Sequence, residues 1–193
     1  METEVEQAWM RRLQAGDRSA VEEISARYGG ELRMFCQRIL YDAALAEDVV
    51  QDVLVKCTAS TEQEAPTGSL RGWLYRVARN RSIDALRKMK PEVRLSAAQS
   101  SSDIWRNGAA ILDSVTTPAG KAIKTDRART VQQAIEAMDD DLRIVVILYF
   151  FQGLSREELA EAIGLSLAGA KARIARATRL LREKLHSLND SSI

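Results

Sequence analysis

Leu154-Ser-Arg-Glu-Glu-Leu-Ala-Glu-Ala-Ile-Gly164-Leu, followed by Ser166-Leu-Ala-Gly-Ala-Lys-Ala-Arg-Ile-Ala-Arg-Ala-Thr-Arg-Leu-Leu-Arg-Glu-Lys-Leu185, spells two helices about a glycine turn. Leu159, Ala160 and Ile163 recur at helical spacing, Gly164 supplies the left-handed residue that ends the first helix, and Ser166 can cap the second. This is the pattern of a helix-turn-helix, whose second helix lies in the major groove of DNA. The charges agree. From Leu165 to Leu185 the cations Lys171, Arg173, Arg176, Arg179, Arg182 and Lys184 stand against Glu183 alone, a net of +5. A helix so charged seeks phosphates, unless it is only a basic amphipathic face kept in solvent.

The whole chain of 193 residues allows one or two domains, and 46% hydrophobic with 28% charged residues is the balance of a soluble globular chain. The net charge of +1 hides strong segregation along the sequence. Cys36 and Cys57 lie far apart among apolar neighbours and His186 is the one histidine, so neither a zinc constellation nor a secreted disulfide scaffold is expected. Buried free thiols are the expectation. The acidic start Met-Glu-Thr-Glu-Val-Glu lacks a signal-peptide pattern, and no apolar run approaches membrane-spanning length. A cytosolic protein without membrane insertion follows.

Almost everything outside one middle segment has the helical period. Leu13, Val21, Ile24, Tyr28, Leu32, Phe35, Ile39 and Leu40 form apolar stripes, with breaks expected at Gly16-Asp17 and at Gly29-Gly30. Asp42 can cap a helix running to about Cys57, Ser60 to Ser69 reads as a polar loop, and Leu70 to about Lys90 as a basic helix stopping before Pro91. From about Pro91 to Lys124 the periodicity fails, with the makeup of a flexible connection. It resumes at Thr125 to Met138, and Asp139-Asp-Asp141 opens a further helix from Leu142 to about Gln152. Those carboxylates suit the positive end of a helix better than a metal. The expected fold is all-α: two small helical domains at 1–92 and 125–193, joined by a flexible linker at 93–124, the second containing the helix-turn-helix.

The first domain is electrically divided. From Asp42 to Glu64 six carboxylates stand against Lys56, a net of −5, whereas from Arg71 to Arg94 eight cations stand against Asp84 and Glu92, a net of +6. On the acidic helix Glu47 with Gln51, and Asp48 with Asp52, are four apart and share a face, while Leu45, Val49, Val53 and Leu54 can turn inward. That face is either ordinary solvated surface or a dock for a basic partner. The basic helix interleaves Trp73, Tyr75, Arg76, Arg79, Asn80 and Arg81: aromatic faces stack on unpaired bases, arginines hold phosphates, and an Asn amide reads a base edge. Trp73 with Val77 is equally readable as core. No catalytic residue is identified. Carboxylates without a desolvated cleft, and a lone His186 without a nucleophile, do not make an enzyme.

Together these motifs resemble the extracytoplasmic-function (ECF) group of bacterial sigma factors, along nearly the whole chain. Leu13-Gln-Ala-Gly-Asp-Arg-Ser-Ala-Val-Glu-Glu23 with Arg27-Tyr28 resembles the opening of region 2, and Ala46-Glu-Asp-Val-Val-Gln-Asp-Val-Leu-Val-Lys56 the helix that docks on polymerase. Gly68-Ser-Leu-Arg-Gly-Trp-Leu-Tyr-Arg-Val-Ala-Arg-Asn-Arg-Ser-Ile-Asp-Ala-Leu-Arg87 is similar to the segment that melts and reads the −10 element, and Gly153 onward to region 4, which reads the −35 element. The resemblance implies that Glu47, Asp48, Gln51 and Asp52 face the clamp helices of the polymerase β′ subunit. It implies that Asn80, with the loop Ser60 to Ser69, holds a flipped −10 base beside Trp73, while Arg76, Arg79 and Arg81 track the separated strand. Lys171, Arg173 and Arg176 would enter or flank the −35 groove, with Ser155 and Arg156 on its backbone. Core RNA polymerase (β′ clamp helices, β flap), promoter DNA and an anti-sigma factor are the implied partners, the linker threads toward the RNA exit path, and no cofactor or metal is implied.

One departure stands out. Recognition helices of the family commonly begin Gly-Thr-Val-Lys-Ser-Arg, where this chain has Ala168-Gly-Ala-Lys-Ala-Arg173, without the two hydroxyls that can touch phosphate. A second class of function compatible with the sequence is a polymerase-independent helix-turn-helix regulator with an N-terminal sensing or dimerisation domain.

Overall fold

The computed structural model describes residues 2–59, 68–89 and 131–190, and every regular element among them is helical. Helices α1 (Glu2–Gln14), α2 (Ser19–Leu40), α3 (Ala43–Ala59) and α4 (Leu70–Lys88) form the first half. The second half holds α5 (131–136), α6 (Asp140–Val146), a π-helical turn (Ile147–Phe151), α7 (Arg156–Ile163) and α8 (Leu167–Asp190). Residues 60–67 of the expected loop, the expected connection at 93–124, and residues 125–130 of the expected helix lie outside the described residues, as does the side chain of His186.

Helix α2 is the centre of the first half. Its Ile24, Tyr28, Leu32, Phe35, Cys36, Ile39 and Leu40 are buried against Val49, Val50, Val53 and Cys57 of α3 and Leu70, Trp73, Leu74 and Val77 of α4. The break expected at Gly29-Gly30 does not occur: α2 runs through both glycines. Two interior glycines cost roughly 1 kcal/mol each relative to alanine. Burying Tyr28 and Leu32 on one side and Phe35 on the next turn returns roughly 1.5–3 kcal/mol apiece, so the apolar stripe outweighs the local preference. The break expected at Gly16-Asp17 does occur. Gly16 has φ +79°, and Asp17 accepts hydrogen bonds from the Ser19 hydroxyl and amide and from Arg12 Nε at 2.8 Å, which hold its carboxyl down at about 2.

The ends of the next helices follow local rules. Asp42 Oδ1 accepts from Leu45 N at 3.0 Å, and Ser69 Oγ accepts from Gly72 N at 3.2 Å. At α6 the carboxylates act differently from the expected cap. Asp139 makes no side-chain bond to the amides, while Asp140 and Asp141 occupy the first turn, where they favour the helix dipole, and Asp140 pairs with Arg143. Both thiols are buried and free, and burial pushes each up to about 12, beyond nucleophilic use at neutral pH.

In the second half, α8 lays Ala170, Ala177, Leu181 and Leu185 against α6 and α7. The two halves are not separate bodies joined only by chain. Their buried residues form one continuous cluster, with α4 packed on α7 and α2 on the π turn.

The dominance of packing over propensity in α2 can be measured. Gly30 is exposed with nothing within 4 Å of where a methyl group would sit, so Gly30→Ala should stabilise the chain by about 0.5–1 kcal/mol. Leu32→Ala, at a fully buried position, should cost about 2–5 kcal/mol. Urea denaturation followed by helical circular dichroism reads both, and a destabilising Gly30→Ala would contradict an uninterrupted α2.

Candidate polymerase and nucleic-acid interface

Three charged surfaces emerge from these elements. On α3, Ala46, Val49, Val50 and Val53 turn inward, Leu45 and Leu54 are half-buried, and Asp48, Gln51 and Asp52 point to solvent. Glu47 is not equally free. Arg33 of α2 donates to its Oε2 and Gln51 Nε2 to its Oε1 at 3.1 Å, and the Arg33 bond first, then Gln51, pulls the Glu47 carboxyl below its ordinary range. The outward acidic face is therefore centred on Asp48 and Asp52. Sequence reasoning passed over Val55, which is 63% exposed one turn beyond Asp52 and two turns beyond Asp48. Its signal was available: Val55 lies at i+3 and i+7 from two residues already placed outside.

On α4 the buried face is Leu70, Trp73, Leu74, Val77 and Ala78. Trp73 is 2% exposed and belongs to the core. This corrects its assignment to the stacking surface, because a ring enclosed by α2 and α4 side chains has no face for a base. Asn80 is exposed and its Oδ1 accepts from Arg79 Nη1 at 3.3 Å, which orients the amide and leaves its NH2 outward. Arg81 reaches back to Asp52 of α3 at 3.9 Å, a weak contact across the boundary between the acidic and basic surfaces.

Arg76 and Arg79 do not lie open. Arg76 Nη1 is 3.0 Å from Glu161 Oε1 of α7, and Arg79 Nη2 is 3.6 Å from Asp141 Oδ1 of α6. Arg71, counted among the cations of the basic segment, is structural. Its guanidinium donates to the Gln152 carbonyl at 2.7 Å, to Glu31 Oε2 at 2.9 Å and to Glu158 Oε2 at 3.4 Å, with the Tyr75 ring alongside at 5.7 Å. Burial works against its charge, but the bond to Glu31 and the fields of Tyr75, Glu158 and Glu31 raise its pKa overall. The π turn makes this arrangement possible. One extra residue in the turn rotates the end of the helix, so the Gln152 carbonyl meets Arg71, Gln152 Oε1 accepts from Tyr75 OH at 3.1 Å, and the Phe151 ring lies 4.8 Å from the buried Arg38 guanidinium.

The seam is also costly. Arg38 Nε and Nη1, Arg71 Nε, Arg79 Nε and Gln152 Nε2 are buried there without a hydrogen-bond partner among the described residues. Each such group left dry costs about 1–3 kcal/mol.

The third surface is the helix-turn-helix. Ser155 Oγ accepts from Glu158 N while Glu158 Oε2 accepts from Ser155 N at 2.7 Å, a complete capping box. Gly164 has φ +68°, and Ser166 Oγ accepts from Gly169 N at 3.2 Å, so the turn is built as its residues require. With Ala170, Ala177 and Leu181 inside, Ala168, Lys171, Ala172, Ala175 and Arg176 face solvent along α8 and Arg173 is half-buried at its edge. Ser155 and Arg156 are exposed at the start of α7. Small side chains between cations let a helix sit deep in a groove. Among the described residues no group of acidic, cysteine or histidine side chains could hold a metal, and no helix is long and apolar enough to cross a membrane.

Comparison with known proteins gives these surfaces a common frame. The family model Sigma-70 region 2 matches residues 24–91, and Sigma-70, region 4 matches residues 128–181. The ECF RNA polymerase sigma factor SigW of Bacillus subtilis is 27% identical over 93% of this chain and 96% of its own length. The RNA polymerase sigma-H factor of Pseudomonas aeruginosa is 26% identical over 96% of each. Among solved structures, CnrH in complex with the cytosolic domain of CnrY aligns over 98% of this chain and 99% of its own, with a TM-score of 0.66 at 23% identity, a likeness of fold. The sigma factor RpoE of Bartonella quintana, in complex with the anti-sigma factor NepR, aligns over 86% of this chain and 96% of its own with a TM-score of 0.55 and 27% identity. With both sigma regions present in order and relatives matched from end to end, the chain belongs to the extracytoplasmic-function sigma factors, the subunits that direct RNA polymerase to promoters.

Proposed function

We propose that this sigma factor divides its work among the three surfaces. Residues 1–92 dock on polymerase and read the −10 element, 125–193 read the −35 element, and 93–124 connect them. Asp48, Gln51 and Asp52, assisted by Glu47 and the exposed Val55, meet the β′ clamp helices. Asn80 captures an unpaired −10 base, and Arg76, Arg79 and Arg81 follow the strand's phosphates. Lys171, Arg173 and Arg176 enter or flank the −35 groove, Ser155 and Arg156 hold its backbone, and region 4 also meets the β flap.

The observation that carries this reading is the outward acidic face of α3 beside a basic α4. A DNA-binding chain gains nothing from carboxylates next to its phosphate contacts, since they repel the same backbone. They are explained by a basic protein partner. The exposed Ala168, Ala172 and Ala175 of α8 suit thymine methyl groups at the −35 element, Ala172 standing where the family commonly has Ser. Sigma factors in general catalyse nothing, and the cytoplasm, where polymerase works, is the compartment this role requires. An anti-sigma factor covering the docking surfaces is a further proposed partner, supported by the complex of the Bartonella relative with NepR.

Reversing the charge of the dock should separate binding from folding. Asp48→Arg with Asp52→Arg should lower affinity for core polymerase at least a hundredfold, given roughly 1.5–7 kcal/mol for close interfacial charge pairs, while the helical spectrum is unchanged. Holoenzyme assembly by this variant at wild-type affinity would favour the polymerase-independent regulator instead.

Asn80→Ala tests strand capture. Losing one base-edge contact worth about 1–3 kcal/mol should slow promoter opening by holoenzyme roughly tenfold or more, with duplex promoter binding nearly unchanged. Equal losses in a permanganate footprint of the bubble and in duplex binding would remove Asn80 from base capture.

A further inference from the structure

Two of the large apolar side chains left exposed among the described residues stand together at the helix-turn-helix. Leu165, 42% exposed, follows Gly164 in the turn, and Leu167, 37% exposed, opens α8. We propose that these leucines are specificity-determining residues of region 4: they enter the major groove with the start of α8 and recognise the 5-methyl groups of thymines in the −35 element. This role rests on the assignment of α8 to that element given above.

A lone leucine on a surface needs no explanation, because much of any protein surface is apolar. This pair is held outward by the turn. Leu165 N donates to the Ala160 carbonyl at 3.0 Å, Gly164 N to the Glu161 carbonyl at 3.3 Å, and Ser166 Oγ accepts from Gly169 N at 3.2 Å. The backbone on both sides of Ser166 is thereby fixed. Leu159, Ala162 and Ala170, all buried, take the inward positions of α7 and α8.

Gly169 makes room for the first leucine. It stands where the family commonly carries Thr, and a methyl group built on it would lie 3.4 Å from Leu165 Cβ and 3.6 Å from Leu165 Cδ1. Those are ordinary contact distances, so Leu165 lies over the first turn of α8, and the further branches of a threonine would compete with it for that space. A hydroxyl suited to phosphate is absent, and an apolar side chain lies beside its position.

The first residues of a recognition helix are the ones that meet base edges. In the major groove every base edge presents donors and acceptors, and the C5-methyl of thymine is the one apolar group. A leucine set against any other base would desolvate a polar edge with nothing to pair it. Between Leu165 and Ala172 the one charged residue is Lys171, exposed and one turn after Leu167, where its ammonium suits the O6 and N7 of guanine. Four residues of helix rise about 6 Å, or about two base pairs. The sequence called for is an element in which thymine lies about two base pairs from guanine.

Deoxyuridine isolates the contact, since it lacks the methyl and keeps the hydrogen-bonding edge of thymine. Holoenzyme reconstituted with the full chain first selects promoters from a genomic fragment library, and a selected promoter is then remade with deoxyuridine at single −35 thymines. Wild-type holoenzyme should lose affinity about fourfold at each contacted thymine, the share of one buried methyl, and lose none at spacer thymines. Leu165→Ala with Leu167→Ala, both at exposed positions, should keep the helical spectrum and bind the two promoters equally. Equal affinity of the wild type for both promoters, or an undiminished ratio in the double variant, would overturn the leucine readout. Promoters selected without a shared element near −35 would sink the region 4 reading and this inference together. A shared element that lacks thymine on both strands, or is indifferent to its methyl, sinks this inference alone.

Discussion

Arg71 is the point through which the structure is tied together. Its guanidinium joins α2 through Glu31, the π turn through the Gln152 carbonyl and α7 through Glu158, while its stem rises from the first turn of α4. Removing this side chain would leave Glu31, Glu158 and the Gln152 carbonyl without their shared donor. Four elements that share no sequence neighbourhood are therefore held in one arrangement. The helix-turn-helix of the second half takes its position from a cation in the first.

Around that tie the chain keeps charges of opposite sign close without letting them cancel. Asp48 and Asp52 point away from α2, Glu47 is held by Arg33, and Arg81 meets Asp52 only at 3.9 Å. An exposed pair at that distance contributes little to stability. A sigma factor needs this separation. On the proposed division of labour the surface of α3 must stay negative and that of α4 positive, although both helices pack on α2 and on each other.

Much of this was legible because it is local. Asp42 and Ser166 cap the helices that follow them, and Gly164 adopts the left-handed conformation its turn requires, since each needs only residues a few positions away. That Asp48 and Asp52 share an outward face was legible from spacing alone, because i and i+4 share a side of any helix. Gly29-Gly30 was misread for the opposite reason: the glycines carry a local cost, and the compensation comes from α3 and α4, distant in sequence. Trp73 was ambiguous because an aromatic on a basic helix suits both a core and a base, and only the position of α2 decides.

The amino-acid sequence by itself determined the helices, their caps, the order of the two sigma regions and the sign of charge on each surface, all consequences of short-range backbone chemistry and periodicity. Tertiary structure alone decided which cations remain available. Arg71, Arg76 and Arg79 look alike in the sequence, yet each meets a carboxylate about 60 to 90 residues away, and Arg71 alone also bonds a backbone carbonyl and a second helix. Such pairings depend on which helix lies across which, and neither periodicity nor composition carries that information.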